Sequence, residues 1–304
     1  MSVPPKISVL MPVFNAAKYL PIAVRSILEQ TFRDFELIAV NDGSTDRSPA
    51  ILQRFAQQDA RIKIITRPNT GIVGALNDGL AVAQGELIAR MDADDIAYPE
   101  RLAIQLHYME CHPEIVAIGS GVRMIDPRGV PLKNFHGFTD PQTLRSKLIE
   151  ASDIGIIHPT LMVRRGVLQR LGGYREQYKL VEDVDLFFRL LDEGELANVP
   201  DILLGYRQHL ESTNAKKHAT QRRLVAQCLA EHRTRWNLPP LATPASHPPM
   251  TVRGAQHILW AYWAMEGGHP WTAMRHAAIA GLRSGLAPEA RKCLNYVIHS
   301  LCHR

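Results

Sequence analysis

Residues 85–95, Gly-Glu-Leu-Ile-Ala-Arg-Met-Asp-Ala-Asp-Asp, place a cluster of acids directly after an apolar run. The run has the length and composition of a buried strand, and Asp92, Asp94 and Asp95 follow it. Three carboxylates this close together repel one another, so the pattern indicates a positive partner. An all-oxygen ligand set favours Mg²⁺ or Mn²⁺. The stretch therefore predicts a divalent metal site at the end of a strand.

A second apolar run, residues 35–40, also leads into an acid, Asp42. Short apolar runs alternate with segments of helical periodicity through the first hundred residues. The predicted strands are 7–14, 35–40, 62–66 and 87–91, and the predicted helices between them are 17–30, 48–55 and 73–83. This alternation predicts an α/β fold with a doubly wound, mostly parallel, Rossmann-like sheet. The carboxyl ends of such strands meet at one edge, where open α/β folds bind ligands.

The pattern after residue 99 is looser and ends in an all-helical region. The predicted helices are 101–110, 142–150, 183–191 and 220–235, and the predicted strands are 115–118, 122–125, 160–163 and 197–207. A Pro-rich stretch at about 238–250 predicts a linker, and three further helices are expected between 252 and 301. We expect three parts: residues 1–110 and residues 111–214, which together make up the α/β region, and a basic α-helical C-terminal region at 215–304.

The composition is that of a globular protein without secretory features. Apolar residues make up 46% of the 304 residues and charged residues 21%, which argues against disorder. The four cysteines lack C-x-x-C spacing, as expected for reduced thiols. Neither a signal-peptide core nor an apolar run of about 18–20 residues is found. We therefore expect a cytoplasmic protein, either free or at the inner face of the cell membrane.

The charge is distributed unevenly along the chain. Residues 1–215 contain 23 Lys+Arg and 27 Asp+Glu, whereas residues 216–304 contain 12 and 3, a net charge of +9. Lys216, Lys217, Arg222 and Arg223 precede an amphipathic stretch, which suggests peripheral binding to an anionic membrane. A solvated basic helical surface is the alternative. Nucleic acid is not expected as a partner, because no recognised binding motif accompanies the charge.

Aromatic residues in the same C-terminal region have two interpretations. They would add contacts at a membrane interface, or they would form a helical core or the interface of a homo-oligomer. These residues are Trp260, Tyr262, Trp263 and Trp271.

An ordered series of motifs extends beyond the acid cluster. It consists of residues 8–15, 40–46, Asn69-Thr70-Gly71, Asn77-Asp78-Gly79, Gly85, Asp92-Ala93-Asp94-Asp95, Gly172-Gly173-Tyr174, Glu182-Asp183, and Tyr206-Arg207 with His209. Over roughly residues 6–214 the chain resembles the family-2 glycosyltransferases of the GT-A type. Two positions depart from that pattern: Arg175, where many relatives have an acid, and Leu76, where many have Arg.

The resemblance implies that residues 1–110 are the nucleotide-sugar-binding half and residues 111–214 the acceptor-binding half. The nucleotide site would be built from the ends of the first strands. Asp42 would accept a hydrogen bond from a base N–H, although an acid that only caps its turn is the alternative. Arg67 would pair with the base or diphosphate, or else be a surface residue. The full set implied to bind the nucleotide is Pro12, Phe14, Asn15, Asp42, Arg67, Asn77 and Asp92.

The resemblance also implies the remaining roles. Asp94 would be the principal metal ligand, with Asp92 contacting ribose or the metal through water. His209 would return to the metal or the diphosphate, or lie in a surface loop. Asp183 would be the general base, assisted by Glu182, although acids are also common in a helix's first turn. The acceptor site would include Arg207 and His158, the latter equally interpretable as a buried structural histidine.

The expected function is inverting, metal-dependent transfer of a sugar from a nucleotide-sugar, a UDP-sugar by preference. The acceptor would be a hydroxyl of a glycan or lipid-linked glycan in bacterial polysaccharide biosynthesis. A nucleotidyltransferase also places acids after a parallel strand, but residues 12–15 lack its Gly-rich basic phosphate loop. A catalytically silent nucleotide-sugar-binding module is the other alternative, and the intact Asp92, Asp94 and Asp183 argue against it.

Overall fold

The computed structural model describes residues 4–150, 155–210, 218–240 and 253–302. The chain divides into two compact units. The first unit comprises residues 1–122, 136–204 and 217–241, and the second comprises 123–135, 205–216 and 242–304.

The first unit begins with the predicted alternation of strands and helices. Its strands are β1 (Ile7–Val13), β2 (Phe35–Asp42), β3 (Ile62–Arg67) and β4 (Leu87–Arg90), and the helices between them are α1 (Leu20–Leu28), α2 (Ser48–Gln58) and α3 (Ile72–Val82). These strands are parallel in the order β3-β2-β1-β4. Every residue of β2 is buried, as expected for a strand covered on both faces. The predicted α/β fold is confirmed.

The chain then continues into a mixed sheet. Its elements are β5 (Ile96–Ala97), α4 (Arg101–Cys111), β6 (Ile115–Ile125), β7 (Pro131–Phe135), α5 (Pro141–Ile149), a 3₁₀ turn (His158–Thr160), β8 (Met162–Arg164), α6 (Arg165–Arg170), a second 3₁₀ turn (Glu176–Tyr178), α7 (Glu182–Leu190), β9 (Glu195–Arg207) and α8 (His218–Arg235). The strand order is β3-β2-β1-β4-β8-β6-β9-β5, with β7 beside β6. Strand β8 is antiparallel to both β4 and β6.

The structure differs from the predicted elements at several points, and helix α6 and the second 3₁₀ turn are among the elements that were not predicted. The two strands expected at 115–118 and 122–125 form one strand, β6, because the intervening Gly119-Ser120-Gly121 stays extended and buried. Thr160 lies in a 3₁₀ turn that precedes β8. Strands β5 and β7 were not predicted, because both are short and neither has a clear period-two pattern.

The core of the first unit extends from the parallel sheet to α7 and α8. Helix α3 packs on β1 and β2 through Val73, Leu76 and Leu80. Cys228 and Leu229 of α8 belong to the same core. Helix α8 thus shares the core of the first unit, whereas the sequence grouped it with the C-terminal region.

The second unit contains the end of β6, strand β7 and three helices, α9 (Ala255–Glu266), α10 (Pro270–Ser284) and α11 (Pro288–Cys302). Trp260, Ala264, Ala277 and Val297 pack around Leu132 of β7. The expected three-helix C-terminal extension is therefore present. Lys216, Lys217 and most of the predicted linker lie outside the described residues. Among the described helices, none combines the length and apolar composition that crossing a membrane requires.

Candidate active site

The end of β2 presents a carboxylate whose orientation is fixed by a neighbouring loop. Asp42 is 3% exposed and accepts hydrogen bonds from the backbone N–H groups of Thr70 (3.1 Å) and Gly71 (2.8 Å). Arg67 Nε lies 3.3 Å from Asp42 Oδ1, and its Nη1 contacts Asp78 at 2.7 Å. A carboxylate oxygen has two lone pairs, so Asp42 keeps the capacity to accept a ligand N–H.

The loop after β1 is joined to the loop after β2. Asn15 adopts a positive φ of 49°, and its side-chain oxygen accepts the Thr45 N–H at 2.8 Å. Its own N–H donates to Ser44 Oγ at 3.1 Å. The preceding Phe14 is 53% exposed, which is unusual for a large apolar residue that follows a buried strand. An aromatic face is thus available beside the end of β2.

Two buried arginines interact with the acid cluster formed by Asp92, Asp94 and Asp95. Carboxylate oxygens of Asp92, Asp94 and Asp95 come within 4.8 Å of one another. Arg90 Nη1, at the end of β4, lies 2.5 Å from Asp92 Oδ2, and Arg90 is only 4% exposed. The fully buried Arg101 donates to the Arg90 carbonyl at 2.7 Å, and its charge interacts with Asp95. The chain itself therefore supplies positive charge next to the acids.

Glu182 and Asp183 in the first turn of α7 belong to the same electrostatic cluster. Burial raises the pKa of Asp92, and the negative charges of Asp94 and Asp183 raise it further, against the opposing effect of Arg90. Burial and the charge of Asp183 raise the pKa of Glu182 to about 7. Burial also raises the pKa of Asp183. The pKa of Glu182 places one proton-accepting group close to neutral pH.

Local backbone contacts fix the two α7 acids. Asp183 Oδ1 accepts the Val184 N–H at 2.9 Å, and Glu182 Oε2 accepts the N–H of Leu180 at 2.8 Å. Leu180 itself has a φ of 88°, a conformation rare for a branched residue. The N-terminal turn of a helix also favours negative charge. Helix α7 thus holds two carboxylates whose positions are set by the backbone.

A chain of hydrogen bonds connects α3 to the 3₁₀ turn before β8. The side-chain amide of Asn77 donates to the Tyr174 carbonyl and accepts the Tyr174 N–H, both at 2.8 Å. The Tyr174 hydroxyl lies 3.0 Å from His158 Nε2. His158 is 7% exposed, and burial together with the charge of Arg90 lowers its pKa, so the neutral imidazole is favoured.

Comparison with known proteins decides the family. The family model described as "Glycosyl transferase family 2" matches residues 8–172. The chain belongs to this family.

One relative is the O-antigen biosynthesis glycosyltransferase WbnJ of Escherichia coli, 35% identical over 211 residues. That match spans 68% of this chain and 81% of the relative. Two solved structures share the fold with a TM-score of 0.56. The mannosyltransferase PcManGT of Pyrobaculum calidifontis, in complex with GDP-Man and Mn²⁺, is 20% identical; 99% of this chain and 81% of that chain are covered. S. aureus TarS 1-349 in complex with UDP is 18% identical, with 98% and 91% covered.

The transferase brings most of the predicted site residues into its first unit. Pro12, Phe14, Asn15, Asp42 and Arg67 lie at or after the ends of β1, β2 and β3. The two groups of acids interact electrostatically, as described above. Asn77 already uses its amide oxygen and an N–H on the Tyr174 backbone, so a nucleotide contact from this side chain remains a prediction.

Arg207 and His209, the predicted site residues near the end of the resemblance over residues 6–214, belong to the second unit of the transferase. Arg207 is buried and donates to the carbonyls of Asp126 (3.2 Å) and Pro127 (3.3 Å). His209 follows the end of β9 and is half-buried. Acceptor binding by Arg207 and metal or diphosphate binding by His209 remain predictions, as does acceptor binding by His158.

Sequence reasoning missed the roles of Arg90, Arg101 and Tyr174. The signal for Arg90 was present, since a charged residue inside an otherwise apolar strand needs a buried partner. Arg101 opens a helix, where a basic residue carries no such signal. The contact of Tyr174 with His158 joins residues 16 positions apart and has no local sequence pattern.

A second group of candidate ligands, Asp185, Cys228 and His232, does not fit a cation. The Asp185 carboxylate already contacts the guanidinium groups of Arg175 and Arg189. Two guanidinium groups on one carboxylate, that of Arg189 buried and that of Arg175 partly exposed, leave no electrostatic need for a metal. Arg175, the unusual residue after Gly173-Tyr174, is thus explained as a structural partner of Asp185.

The Asp92, Asp94 and Asp95 group does fit a divalent cation. Its donors are carboxylate oxygens, the ligands that Mg²⁺ and Mn²⁺ prefer. Asp92 and Asp94 are partly exposed while Asp95 is buried, so the first two are accessible to an ion that also contacts a ligand.

Proposed function

We propose that this transferase moves a sugar, with inversion at the anomeric carbon, from a UDP-sugar to a hydroxyl of a glycan or lipid-linked glycan acceptor. The observation that supports it is the electrostatic coupling between two acid groups that come from different parts of the chain. Asp92 and Asp94 follow β4, and Asp183 begins α7, yet their charges interact. A metal and diphosphate site beside a proton acceptor is the arrangement that inverting sugar transfer needs.

The nucleotide would bind at the ends of β1 and β2. Asp42 would accept the ring N–H of the base, because its carboxylate is held in place by two backbone N–H groups. The exposed ring of Phe14 would offer an apolar face to the base. Arg67, which is 15% exposed, would neutralise the charge of Asp42 or contact the diphosphate.

Asp94 and Asp92 would hold Mn²⁺ or Mg²⁺. When bound, the cation would stabilise the negative charge that develops on the departing nucleoside diphosphate. The protein's own contribution is the position of the two carboxylates. Arg90 fixes Asp92 through the 2.5 Å contact described above.

Asp183 would accept the proton of the acceptor hydroxyl as that oxygen attacks the anomeric carbon from the side opposite the leaving group. The hydrogen bond from the Val184 N–H orients the Asp183 carboxylate, whose oxygens have further lone pairs with which to accept the acceptor hydroxyl. Glu182, with its pKa of about 7, would orient the acceptor or share the proton.

The cellular role follows from the relative's description. Because an O-antigen biosynthesis glycosyltransferase aligns over most of its length, we propose a role in bacterial polysaccharide biosynthesis. The proposal includes a cytoplasmic enzyme, peripheral at the inner face of the membrane where a lipid-linked acceptor is found. A homo-oligomer remains a further prediction.

The first experiment identifies the donor and tests the metal. Purified protein is screened for hydrolysis of UDP-, GDP- and dTDP-sugars with and without Mn²⁺, and binding of UDP is measured by calorimetry. We expect UDP-sugar hydrolysis that needs the metal, and Asp94→Ala should abolish both activity and metal-dependent UDP affinity. Glu86→Ala, which removes an exposed carboxylate from the same segment, is the matched control. Unchanged UDP affinity in Asp94→Ala would reject the metal assignment.

The second experiment separates donor binding from transfer. Asp183→Asn keeps the side-chain shape but removes proton acceptance, so donor affinity should persist while transfer falls by roughly 10² or more. Glu193→Gln, which alters a carboxylate beyond the end of α7, should behave like wild type. Transfer at the wild-type rate by Asp183→Asn would assign the base to another residue, and a product of retained configuration would exclude inversion.

A further inference from the structure

Helix α10 exposes two of its large apolar residues and faces the core mainly with small ones. The residues that face the core of the second unit are Ala273, His276, Ala277, Ala280 and Gly281. Trp271 is 78% exposed and Leu282 is 85% exposed. A helix of a soluble protein normally buries its bulky apolar side chains and exposes polar ones. The inverted arrangement indicates that the outer face of α10 is covered by something apolar.

The exposed apolar residues form a stripe along the helix. Trp271 and Leu282 are eleven residues apart, so they differ by only about 20° around the axis and by ~16 Å along it. Ala278, which is also exposed, lies between them on the same side. Leu286, 48% exposed, continues the stripe past the end of the helix. We name Trp271, Ala278, Leu282 and Leu286 the α10 stripe.

Basic side chains lie at the Leu282 end of the α10 stripe. Arg283 is exposed beside Leu282, and Arg291 Nε donates to the Leu286 carbonyl at 2.5 Å. Lys292 is the next exposed residue of α11. Residues 253–302 contain five Lys+Arg and two Asp+Glu, and α10 itself contains no acid. An apolar stripe with a basic rim has the chemistry of a helix that lies in the interface of an anionic bilayer.

We propose that the α10 stripe binds the surface of an anionic lipid bilayer, with Trp271 and Leu282 inserted and Arg283, Arg291 and Lys292 against the headgroups. This inference extends the proposed peripheral association by naming the surface that makes it. It replaces Trp260, Tyr262 and Trp263 as membrane contacts. Trp260 is fully buried in the core of the second unit, and the other two pack against that core.

A second copy of the chain fits this face less well. Two copies meeting through the same stripe would bring Arg283, Arg291 and Lys292 of both copies together, and like charges at an interface are unfavourable. The stripe is also small. A tryptophan buries at most about 250 Å², whereas a stable interface needs about 800 Å² per partner. An anionic bilayer has neither problem, because it complements the charge and requires only insertion of a few side chains.

The test measures co-sedimentation of the full chain with phosphatidylcholine vesicles, with and without phosphatidylglycerol. We expect binding to the anionic vesicles that weakens with salt, and little binding to the neutral ones. Trp271→Ser/Leu282→Ser should lower the partition coefficient by roughly a hundredfold, because each of the two large apolar side chains that leave water contributes about tenfold. Arg283→Gln/Lys292→Gln should lower it by roughly tenfold or more as well.

The matched control removes two exposed apolar residues from other helices. Ile22 of α1 and Val82 of α3 are 48% and 45% exposed, so Ile22→Ser/Val82→Ser also removes two exposed apolar side chains, with a smaller exposed area than that of Trp271 and Leu282. This control should bind vesicles like wild type. Intrinsic fluorescence gives a second readout, since the blue shift on anionic vesicles should be lost in Trp271→Phe while Trp260 remains shielded.

Two results would overturn the proposal. Equal vesicle binding by wild type, by Trp271→Ser/Leu282→Ser and by Arg283→Gln/Lys292→Gln would place membrane contact elsewhere on the protein. Absence of vesicle binding, together with a dimer in sedimentation velocity that Leu282→Ser dissociates, would make the stripe a protein–protein interface. None of these measurements requires a donor sugar, so the outcome is independent of whether the proposed sugar transfer is correct.

Discussion

Replacement of Asp185 by Asn should destabilise the first unit substantially. Asp185 is fully buried in α7 and contacts Arg175, Arg189 and His232, the last at 3.4 Å. Arg175 keeps a second partner in Glu231, at 2.9 Å. Arg189, 6% exposed, relies on Asp185 for its neutralisation. The substitution therefore leaves the buried charge of Arg189 without a counter-ion among the residues that the structure describes.

Two arguments set the magnitude of this loss. Burial on its own would raise the pKa of Asp185, but hydrogen bonds from His232 and Arg175 and the two arginine charges lower it to about 2. Relative to an ordinary value of 3.8, that lowering is worth about 2 kcal/mol in free energy of unfolding at neutral pH. Breaking a buried ion pair from one side typically costs about 3–5 kcal/mol. The larger range is the better guide, because the pKa does not count the charge left on Arg189. We expect about 3 kcal/mol.

Thermal unfolding followed by circular dichroism provides the assay. A loss of about 3 kcal/mol in a unit of this size corresponds to a fall in Tm of roughly 6–12 °C. Glu193→Gln, which breaks the exposed pair with Arg170, should change stability by less than about 1 kcal/mol. Asp185→Asn/Arg189→Met should recover part of the loss, because it removes the uncompensated charge. A Tm within 2 °C of wild type for Asp185→Asn, a limit of about 1 kcal/mol, would refute this account of the α7 contacts.

Two further predictions concern a turn and an acid transition. Gly43 has a φ of 71°, and a Cβ there would lie 2.7 Å from the Asn69 backbone nitrogen; Gly172 has a φ of 73° with open space around it. Gly43→Ala should therefore lose more stability than Gly172→Ala, by about 1–3 kcal/mol in urea denaturation, and equal losses would contradict the predicted clash. Burial would raise the pKa of Asp126, yet hydrogen bonds from His276, Val130 and Arg128 and the charge of Arg275 lower it to about 2. Because the pKa of Asp126 is lowered in the folded state, its contribution to stability is complete above about pH 4 and is lost as the pH falls towards 2. Asp126→Asn should therefore flatten that part of the curve of stability against pH. An unchanged slope at acid pH would show that Asp126 does not contribute.

The first half of the fold was predictable because its sequence signals are local. Strands β1, β2 and β4 are buried on both faces and read as mostly apolar runs, whereas β3 is only partly buried but keeps the apolar Ile62, Ile64 and Ile65; Gly or Pro marks many of the strand boundaries. Strands β2 and β3 begin at the predicted residues, Phe35 and Ile62. Strand β7 escaped prediction because its sequence, Pro-Leu-Lys-Asn-Phe, buries only Leu132 and pairs with a strand already assigned. Where one buried residue is the only signal, tertiary packing decides the structure.

Some features of the candidate site were likewise predictable from local sequence signals, and others depend on tertiary packing. Acids at strand ends are visible in the sequence, because a parallel topology brings strand ends together without further information. The coupling of Asp183 to Asp92 is not visible, since it depends on the packing of α7, whose first turn lies ninety positions further along the chain. The partners of Arg175 were also hidden, because Glu231 and His232 lie on α8, a helix that the sequence assigned to a different region.

The acid cluster shows how far an argument from charge repulsion extends. Three carboxylates within four residues require positive charge nearby, and from the sequence a bound cation was the natural source. The structure adds a second source of positive charge. Arg90 contacts Asp92 at 2.5 Å, and the charge of the fully buried Arg101 interacts with Asp95. Arg90 and Arg101 therefore offset part of the repulsion among the three carboxylates. The case for a metal then rests on the accessible, all-oxygen donor set of Asp92 and Asp94 and on the chemistry of a departing diphosphate, which a buried guanidinium at the base of the cluster does not serve.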